Sequence, residues 1–357
     1  MSTEILFIGD PHIQTTNIPE FDLFVEKLIT LLETKKPDLI VIGGDILHTH
    51  ERLHTLALNK AKNFIHKLRN IQETWILVGN HDLINNQQFL TENHWMNVLK
   101  DWNNVVIVDK VLSKKIEGKK FIFTPYVPNG RFQEALETLN DSWEDANCIF
   151  AHQEFAGCKM GAIISIDGDK WPITAPLVVS GHIHSRQQPQ ENIYYSGSAL
   201  QHAFGESEKN ILAYLTFDDD KYHLDEINLE LPRKKIIYMD VEDIDSYNLP
   251  ETEDKLKVTL SGNQDQFKAL KKTEKYKKLI NEGIKVVFKP KKIKNIKKFD
   301  NFGNEINVTD EDIKKEGTDF NIILNNIINE QKNIHLKQLY ELVVNDNKVD
   351  LEDIMYI

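Results

Sequence analysis

The residues able to do chemistry cluster at the ends of apolar runs. Asp10 and His12 lie in Gly9-Asp10-Pro11-His12, Asp45 in Gly43-Gly44-Asp45 and Asn80 in Gly79-Asn80-His81-Asp82. His152 closes the run Cys148–His152, and His182 and His184 lie in Gly181-His182-Ile183-His184. One metal ion takes about four to six donors, so these seven suit two ions that share a bridge. Asp45 is the natural bridge, because a carboxylate can serve both ions. Two ions roughly 3.5–4 Å apart clamp the attacking and leaving oxygens of an in-line phosphoryl displacement. Imidazoles, carboxylates and one amide carbonyl suit Mn²⁺, Fe²⁺ or Zn²⁺ better than Mg²⁺ or Ca²⁺. The set contains no thiolate, which argues against structural zinc.

His81 is adjacent to Asn80 and free to point at a substrate, where it suits protonating a leaving alkoxide or stabilising charge on the pentacoordinate phosphate. Asp82 is expected to orient that imidazole from behind. His48, three residues beyond the bridge, is expected to face the leaving group. Each motif alone has a duller reading: an Asp after a strand usually caps a helix, and a single His usually packs. Four motifs in order, each at a strand end, do not fit that reading. His50 and His54 read as surface helix positions, while His66 and His94 receive no role.

The elements that must position these residues follow from hydrophobic patterning. Residues 4–9, 38–44, 74–80, 148–152 and 176–182 are β-rich runs bounded by Gly or polar residues. Further strands are expected at 104–109, 119–125, 192–198 and 211–217, with helices at 20–35 and 52–70. Leu56, Lys60, Phe64 and Leu68 form a stripe on the second helix. The fold class is therefore α/β (α+β), with two stacked mixed sheets flanked by helices. In such sheets the carboxyl ends of strands meet in one crevice.

Beyond residue 231 the texture changes. Strands at 234–241, 255–262 and 283–290 with a helix at 264–281 make a β–β–α–β unit. Apolar faces at 319–332 and 335–345 mark two short helices that either fold back or await a partner. The expected division is 1–230, 231–298 and 299–357.

Composition sets the outer limits. The chain has 357 residues, 43 Lys or Arg, 55 Asp or Glu and a formal net charge of −12. Residues 268–298 run against that balance, with 13 lysines and two glutamates. A basic patch on an acidic chain can grip a polyanion locally, and Lys271, Lys272, Lys275, Lys277 and Lys278 are the candidates. The alternative is a solvated helix face. Eleven of the 13 histidines precede residue 218. The opening MSTEILFIGDPH lacks a secretory pattern, and no apolar run approaches the roughly 18 residues of a membrane span. Cys148 and Cys158 make neither a disulfide scaffold nor a metal pair. The expectation is a reduced, soluble intracellular protein, cytoplasmic or nuclear, with no membrane association.

The ordered motifs resemble the calcineurin-like metallophosphoesterase superfamily. Within it, Gly44-Asp45-Ile46-Leu47-His48 resembles the SbcD-type nuclease subunit of double-strand-break repair and phage recombination complexes. Tyr195-Ser196-Gly197-Ser198 followed by Phe204-Gly205-Glu206 resembles the same subunit, and the β–β–α–β unit sits where that family carries a capping domain. The chain departs from the pattern at Ile13-Gln14, and Thr49-His50-Glu51-Arg52 stands where a proline usually follows. The resemblance implies a two-metal, Mn²⁺-dependent DNA exonuclease and endonuclease, with an SMC-like ATPase bound to its C-terminal helices. On that reading Asp10, His12, Asp45, Asn80, His152, His182 and His184 bind metal, while His81 and His48 act on the scissile phosphate. A homodimer is compatible with it, and the compact tail with heavy Ile, Lys and Asn usage hints at a viral or phage source. A small-nucleotide phosphodiesterase or phosphatase on the same core is the alternative. A non-catalytic scaffold anchoring an ATPase to DNA ends is the reading from another class.

Overall fold

The computed structural model describes residues 2–291 apart from Glu51, Ser207, Glu208, Asp220 and Leu249, together with the two-residue strands Lys298–Phe299 and Glu305–Ile306. The helices expected at 319–332 and 335–345 lie outside the described residues. The backbone divides into Met1–Pro290 and Lys291–Ile357, and the account below concerns the first unit.

Two six-stranded mixed sheets form its centre. The first comprises β1 (Thr3–Ile8), β2 (Leu39–Ile42), β3 (Thr74–Leu77), β4 (Val105–Val108), β13 (Leu212–Phe217) and β14 (Tyr222–Ile227), ordered β14-β13-β1-β2-β3-β4. Strands β1 to β4 run parallel, and β13 returns antiparallel to β1. The second comprises β5 (Leu112–Ile116), β6 (Lys119–Thr124), β7 (Cys148–His152), β10 (Val178–Gly181), β11 (Gln187–Gln190) and β12 (Ile193–Tyr195), ordered β11-β12-β10-β7-β6-β5. A short hairpin, β8 (Lys159–Met160) with β9 (Ile163–Ile164), lies between β7 and β10.

Period-two alternation sorts each central strand between two cores. Ile5, Phe7, Leu39 and Val41 meet Phe121, Phe123, Phe150 and Val179 between the sheets. Leu6, Ile8, Ile40 and Ile42 face outward onto helices α1 (Ile18–Thr34) and α2 (Thr55–Arg69). The outer side of the second sheet packs on α3 (Phe132–Leu136), Phe155 and Trp171. The buried stripe of α2 is Ala57, Ala61, Phe64, Ile65 and Leu68. Leu56, expected in that stripe, is 45% exposed because a strict i+4 row drifts by about 40° per step and leaves the buried side toward the start of the helix, while Phe64 and Leu68 stay on it.

Three further strands, β15 (Lys234–Asp240), β16 (Lys255–Gly262) and β17 (Lys285–Pro290), form an all-parallel sheet in that order. The single helix expected at 264–281 is two, α4 (Gln264–Leu270) and α5 (Glu274–Asn281). Thr273 breaks it, since its hydroxyl accepts from Tyr276 N and starts a new helix.

Candidate metal centre

The five chemistry-bearing loops follow parallel strands β1, β2, β3, β7 and β10, and their carboxyl ends lie side by side. The backbone joins them further. His12 N donates to Asp45 O at 2.9 Å and Ile13 N to Ile46 O at 2.7 Å, so the first two motifs are zipped together. Asp10, His12, Asp45 and His182 all have positive φ. That region is sparse for residues with a Cβ, and its use at four adjoining positions marks backbone shaped by function. Gly79 admits the closest approach: a Cβ there would stand 2.2 Å from Asp45 Oδ1.

All seven expected donors gather in one place, in two overlapping groups. In one, His12 Nε2 lies 2.9 Å from His184 Nε2 and 3.5 Å from Asp45 Oδ2. In the other, Asn80 Oδ1 lies 2.9 Å from His182 Nδ1 and 3.0 Å from His152 Nε2, and His152 Nε2 lies 3.3 Å from Asp45 Oδ2. Asp45 Oδ2 therefore stands between the groups. Its Oδ1 accepts the His81 amide at 2.8 Å, leaving Oδ2 for the centre. Asp10 Oδ1 accepts from His182 N at 2.9 Å, whereas its buried Oδ2 has no hydrogen-bond partner.

The electrostatics describe a centre made for positive charge. Burial pushes the Asp10 carboxyl up to about 6, despite His152 beside it. Burial also opposes ionisation of Asp45, but His152, His12 and His81 outweigh it and hold that carboxyl well below its usual range. His182 is driven down to about 3 by burial and by His152, and so offers a neutral lone pair. An orphaned buried carboxylate oxygen, ring nitrogens facing each other and a shared carboxylate fit a pair of divalent cations. His152 donates Nδ1–H to Gly43 O at 2.6 Å, which turns Nε2 inward.

His81 and His48 flank the centre. Their rings stack with centroids 5.5 Å apart and lie 4.8 and 5.2 Å from that of His12. His81 donates Nδ1–H to His48 O at 2.6 Å, leaving Nε2 for proton transfer. That bond replaces the expected role of Asp82. The Asp82 carboxylate accepts from Gly79 N at 3.0 Å and Trp95 Nε1 at 2.8 Å, so it ties the turn to the core and does not orient His81. His50 is also reassigned: it precedes α2 and stacks on His81 at 4.4 Å.

Sequence reasoning passed over several neighbours. Asn80 Nδ2 donates to Asn86 Oδ1 at 3.3 Å, and the Tyr126 hydroxyl donates to Asn86 O at 3.1 Å. His202 Nε2 lies 3.0 Å from Asp10 O, with its ring against His12 and His184. Glu206 Oε2 accepts from His202 N and Ala203 N, and Oε1 lies 3.5 Å from His184 Nδ1. No strand-end signature marked these residues, because their roles arise from tertiary proximity. Glu206 alone lay within a quoted motif.

The expected DNA-binding lysines stand apart from this centre, on the three-stranded unit. Lys275 Nζ donates to Asp245 O and Tyr247 O, Lys277 pairs with Glu274 and Lys278 with Glu282, and Lys271 lies over the Phe267 ring. Lys272 is exposed.

Comparison with known proteins agrees with this geometry. Residues 3–186 match the calcineurin-like phosphoesterase family. "Putative phosphoesterase 078R" of Invertebrate iridescent virus 3 is 52% identical over 292 residues, covering 80% of this chain and 84% of its own. "Putative phosphoesterase 244L" of Invertebrate iridescent virus 6 is 52% identical over 277 residues, covering 76% and 98%. A solved structure described as a novel archaeal phosphodiesterase covers 63% of this chain and 100% of its own at 15% identity, with a TM-score of 0.33, too distant to inform the site. No helix among the described residues is long and apolar enough to cross a membrane. The match over half the chain, the viral relatives and the His/Asp centre agree: the chain is a phosphoesterase and belongs to the calcineurin-like metallophosphoesterase superfamily, whose members use divalent metal ions.

Proposed function

We propose that this phosphoesterase is a DNA nuclease of the SbcD type, an exonuclease and endonuclease acting in double-strand-break repair or recombination. Its two ions would be Mn²⁺, held by Asp10, His12, Asp45 and His184 on one side and by Asp45, Asn80, His152 and His182 on the other. An ion pair there supplies charge neutralisation at the phosphoryl oxygens and an activated water at neutral pH. The chain's own residues do the rest. Asp45 spans the two groups, and His81, its ring fixed by Nδ1–H to the His48 carbonyl, would hand the Nε2 proton of its doubly protonated form to the leaving oxygen and be left as the neutral ring. The observation that supports a nuclease most is the paired imidazole wall, His48 stacked beside His81 within reach of His12. The division into 1–230, 231–298 and 299–357 belongs to this proposal. So do an SMC-like ATPase docked on the C-terminal helices, a homodimer, and a place of action in the cytoplasm or nucleus of a host cell.

Purified protein with Mn²⁺ should release nucleotides from linear DNA faster than it hydrolyses cyclic or dinucleotide substrates. Asn80→Ala should abolish the reaction, and His81→Ala should slow it by about 10²–10⁴. Full activity in both variants, or a preference for the small substrates, would overturn the proposal.

A further inference from the structure

The two ring nitrogens of His184 face different neighbours. Nε2 lies 2.9 Å from His12 Nε2, inside the first donor group, while Nδ1 lies 3.5 Å from Glu206 Oε1. A neutral imidazole carries one hydrogen, and a cation needs the bare lone pair of the other nitrogen. His184 can therefore offer Nε2 only while its hydrogen sits on Nδ1. A carboxylate beside Nδ1 favours that tautomer, because it accepts and cannot donate.

The second oxygen of Glu206 holds the frame. Oε2 accepts the amide hydrogens of His202 at 2.8 Å and Ala203 at 2.9 Å, which closes the turn over 202–206. Gly205, at φ 92°, lets the backbone reverse there without strain. The same turn carries the His202 ring, whose Nε2 donates to Asp10 O at 3.0 Å. That ring also meets His12 and His184 in T-shaped contacts, with centroids 4.9 and 5.3 Å away. Lys234 Nζ grips the turn from outside, through Gln201 O at 2.7 Å and His202 O at 2.8 Å. Glu206 thus reaches His184 directly and Asp10 through His202, both in the His12 group. The Asn80 group has its own partners, Asn86 for Asn80 and the Gly43 carbonyl for His152.

We propose that Glu206 is a positioning residue for one ion of the pair: Oε1 fixes the His184 tautomer that offers Nε2, and Oε2 holds the turn that steadies Asp10. The inference rests on the reading of Asp10, His12, Asp45 and His184 as the donors of one ion. The informative variant is Glu206→Gln, which keeps the size and an oxygen for the two amide hydrogens but turns an NH₂ group toward His184 Nδ1. That group donates, so the ring must accept at Nδ1 and carry its hydrogen on Nε2, on the side of the cation.

The test titrates the full chain with Mn²⁺ in a calorimeter and follows its thermal unfolding. Glu206→Gln should weaken one binding step by about 10- to 100-fold and leave the other step and the Tm unchanged. NMR of the ring nitrogens in the metal-free protein, at a pH that leaves the ring neutral, should find the His184 hydrogen on Nδ1 in wild type and on Nε2 in Glu206→Gln. Two unchanged binding steps, or a hydrogen that stays on Nδ1 in the variant, would overturn the proposal. Equal weakening of both steps with a lower Tm would make Glu206 a brace of the fold and overturn it as well. His184→Ala tells the two assignments apart. If it loses a binding step that Glu206→Gln keeps, Glu206 has no such role and the metal centre stands. If it keeps both steps, the ligand reading fails and the role of Glu206 with it.

Discussion

Asn80 can serve a cation only through its carbonyl oxygen, and its amide could as well turn the other way. Asn86 decides the matter by accepting the Nδ2 hydrogen, while Tyr126 holds the Asn86 carbonyl in turn. Asn86→Ala should therefore weaken Mn²⁺ at the Asn80 group about 10- to 100-fold in calorimetric titration, with the other ion unaffected. Asn86→Asp keeps the acceptor and should bind both ions normally. Two unchanged binding steps in Asn86→Ala would return Asn86 to an ordinary loop residue. His152 makes a second prediction. Burial lowers its pKa, but Asp45, Asp10 and the Gly43 carbonyl outweigh burial and raise it to about 9, so the ion-free ring is doubly protonated at pH 7. Coordination through Nε2 requires that proton to leave. Loading Mn²⁺ at pH 7 should release a proton, seen as heat that varies with buffer ionisation enthalpy, and affinity should rise as pH climbs toward 9. Buffer-independent heat would count against His152 as a ligand. That these seven side chains gather was legible because each lies at or just beyond the end of an apolar run. Asn86, His202 and the true partner of His81 were not, because contacts such as His48 O with His81 Nδ1 join residues 33 apart with no local mark.

At the scale of elements, strands were read well because burial on both faces leaves continuous apolar runs such as Leu39–Ile42. Helical phase was read less well. Lys60 and Phe64 suggested a stripe beginning at Leu56, but α2 starts only at Thr55, and Ala57 and Ala61 line its buried side. Small residues carry little hydrophobic signal, although they allow α2 to lie close to the sheet. Phe64, packed on Phe21 at 5.4 Å and Phe24 at 6.1 Å, is the anchor of that contact. Phe64→Ala should cost about 3–5 kcal/mol in denaturant unfolding. Leu56→Ala should change stability by less than about 0.5 kcal/mol. Comparable losses in the two variants would mean that α2 packs in the phase its sequence first suggests.

Over the whole molecule, a chain of net charge −12 can hold DNA only through a localised surface, and the lysine-rich residues 268–298 supply a candidate. Sequence alone could not say which of these lysines are engaged, because facing is set by register and not by composition. The helix lysines are largely engaged: Lys275 spends its ammonium on two backbone carbonyls, and Lys277 and Lys278 pair with glutamates at helical spacing. Exposed pairs of that kind are weak and yield readily to phosphate, but each yields less net charge than a free lysine. Five free lysines on a single strand would contribute a salt slope of about 3.5. Replacing Lys271, Lys272, Lys275, Lys277 and Lys278 with Gln should weaken DNA binding and lower the slope by less than that full value, because three of the five are already engaged. A drop of the full value would mean that the pairs give way and all five ammonium groups meet phosphates. No drop at all would leave the five as a solvated face, and DNA, if bound, would have to be held elsewhere.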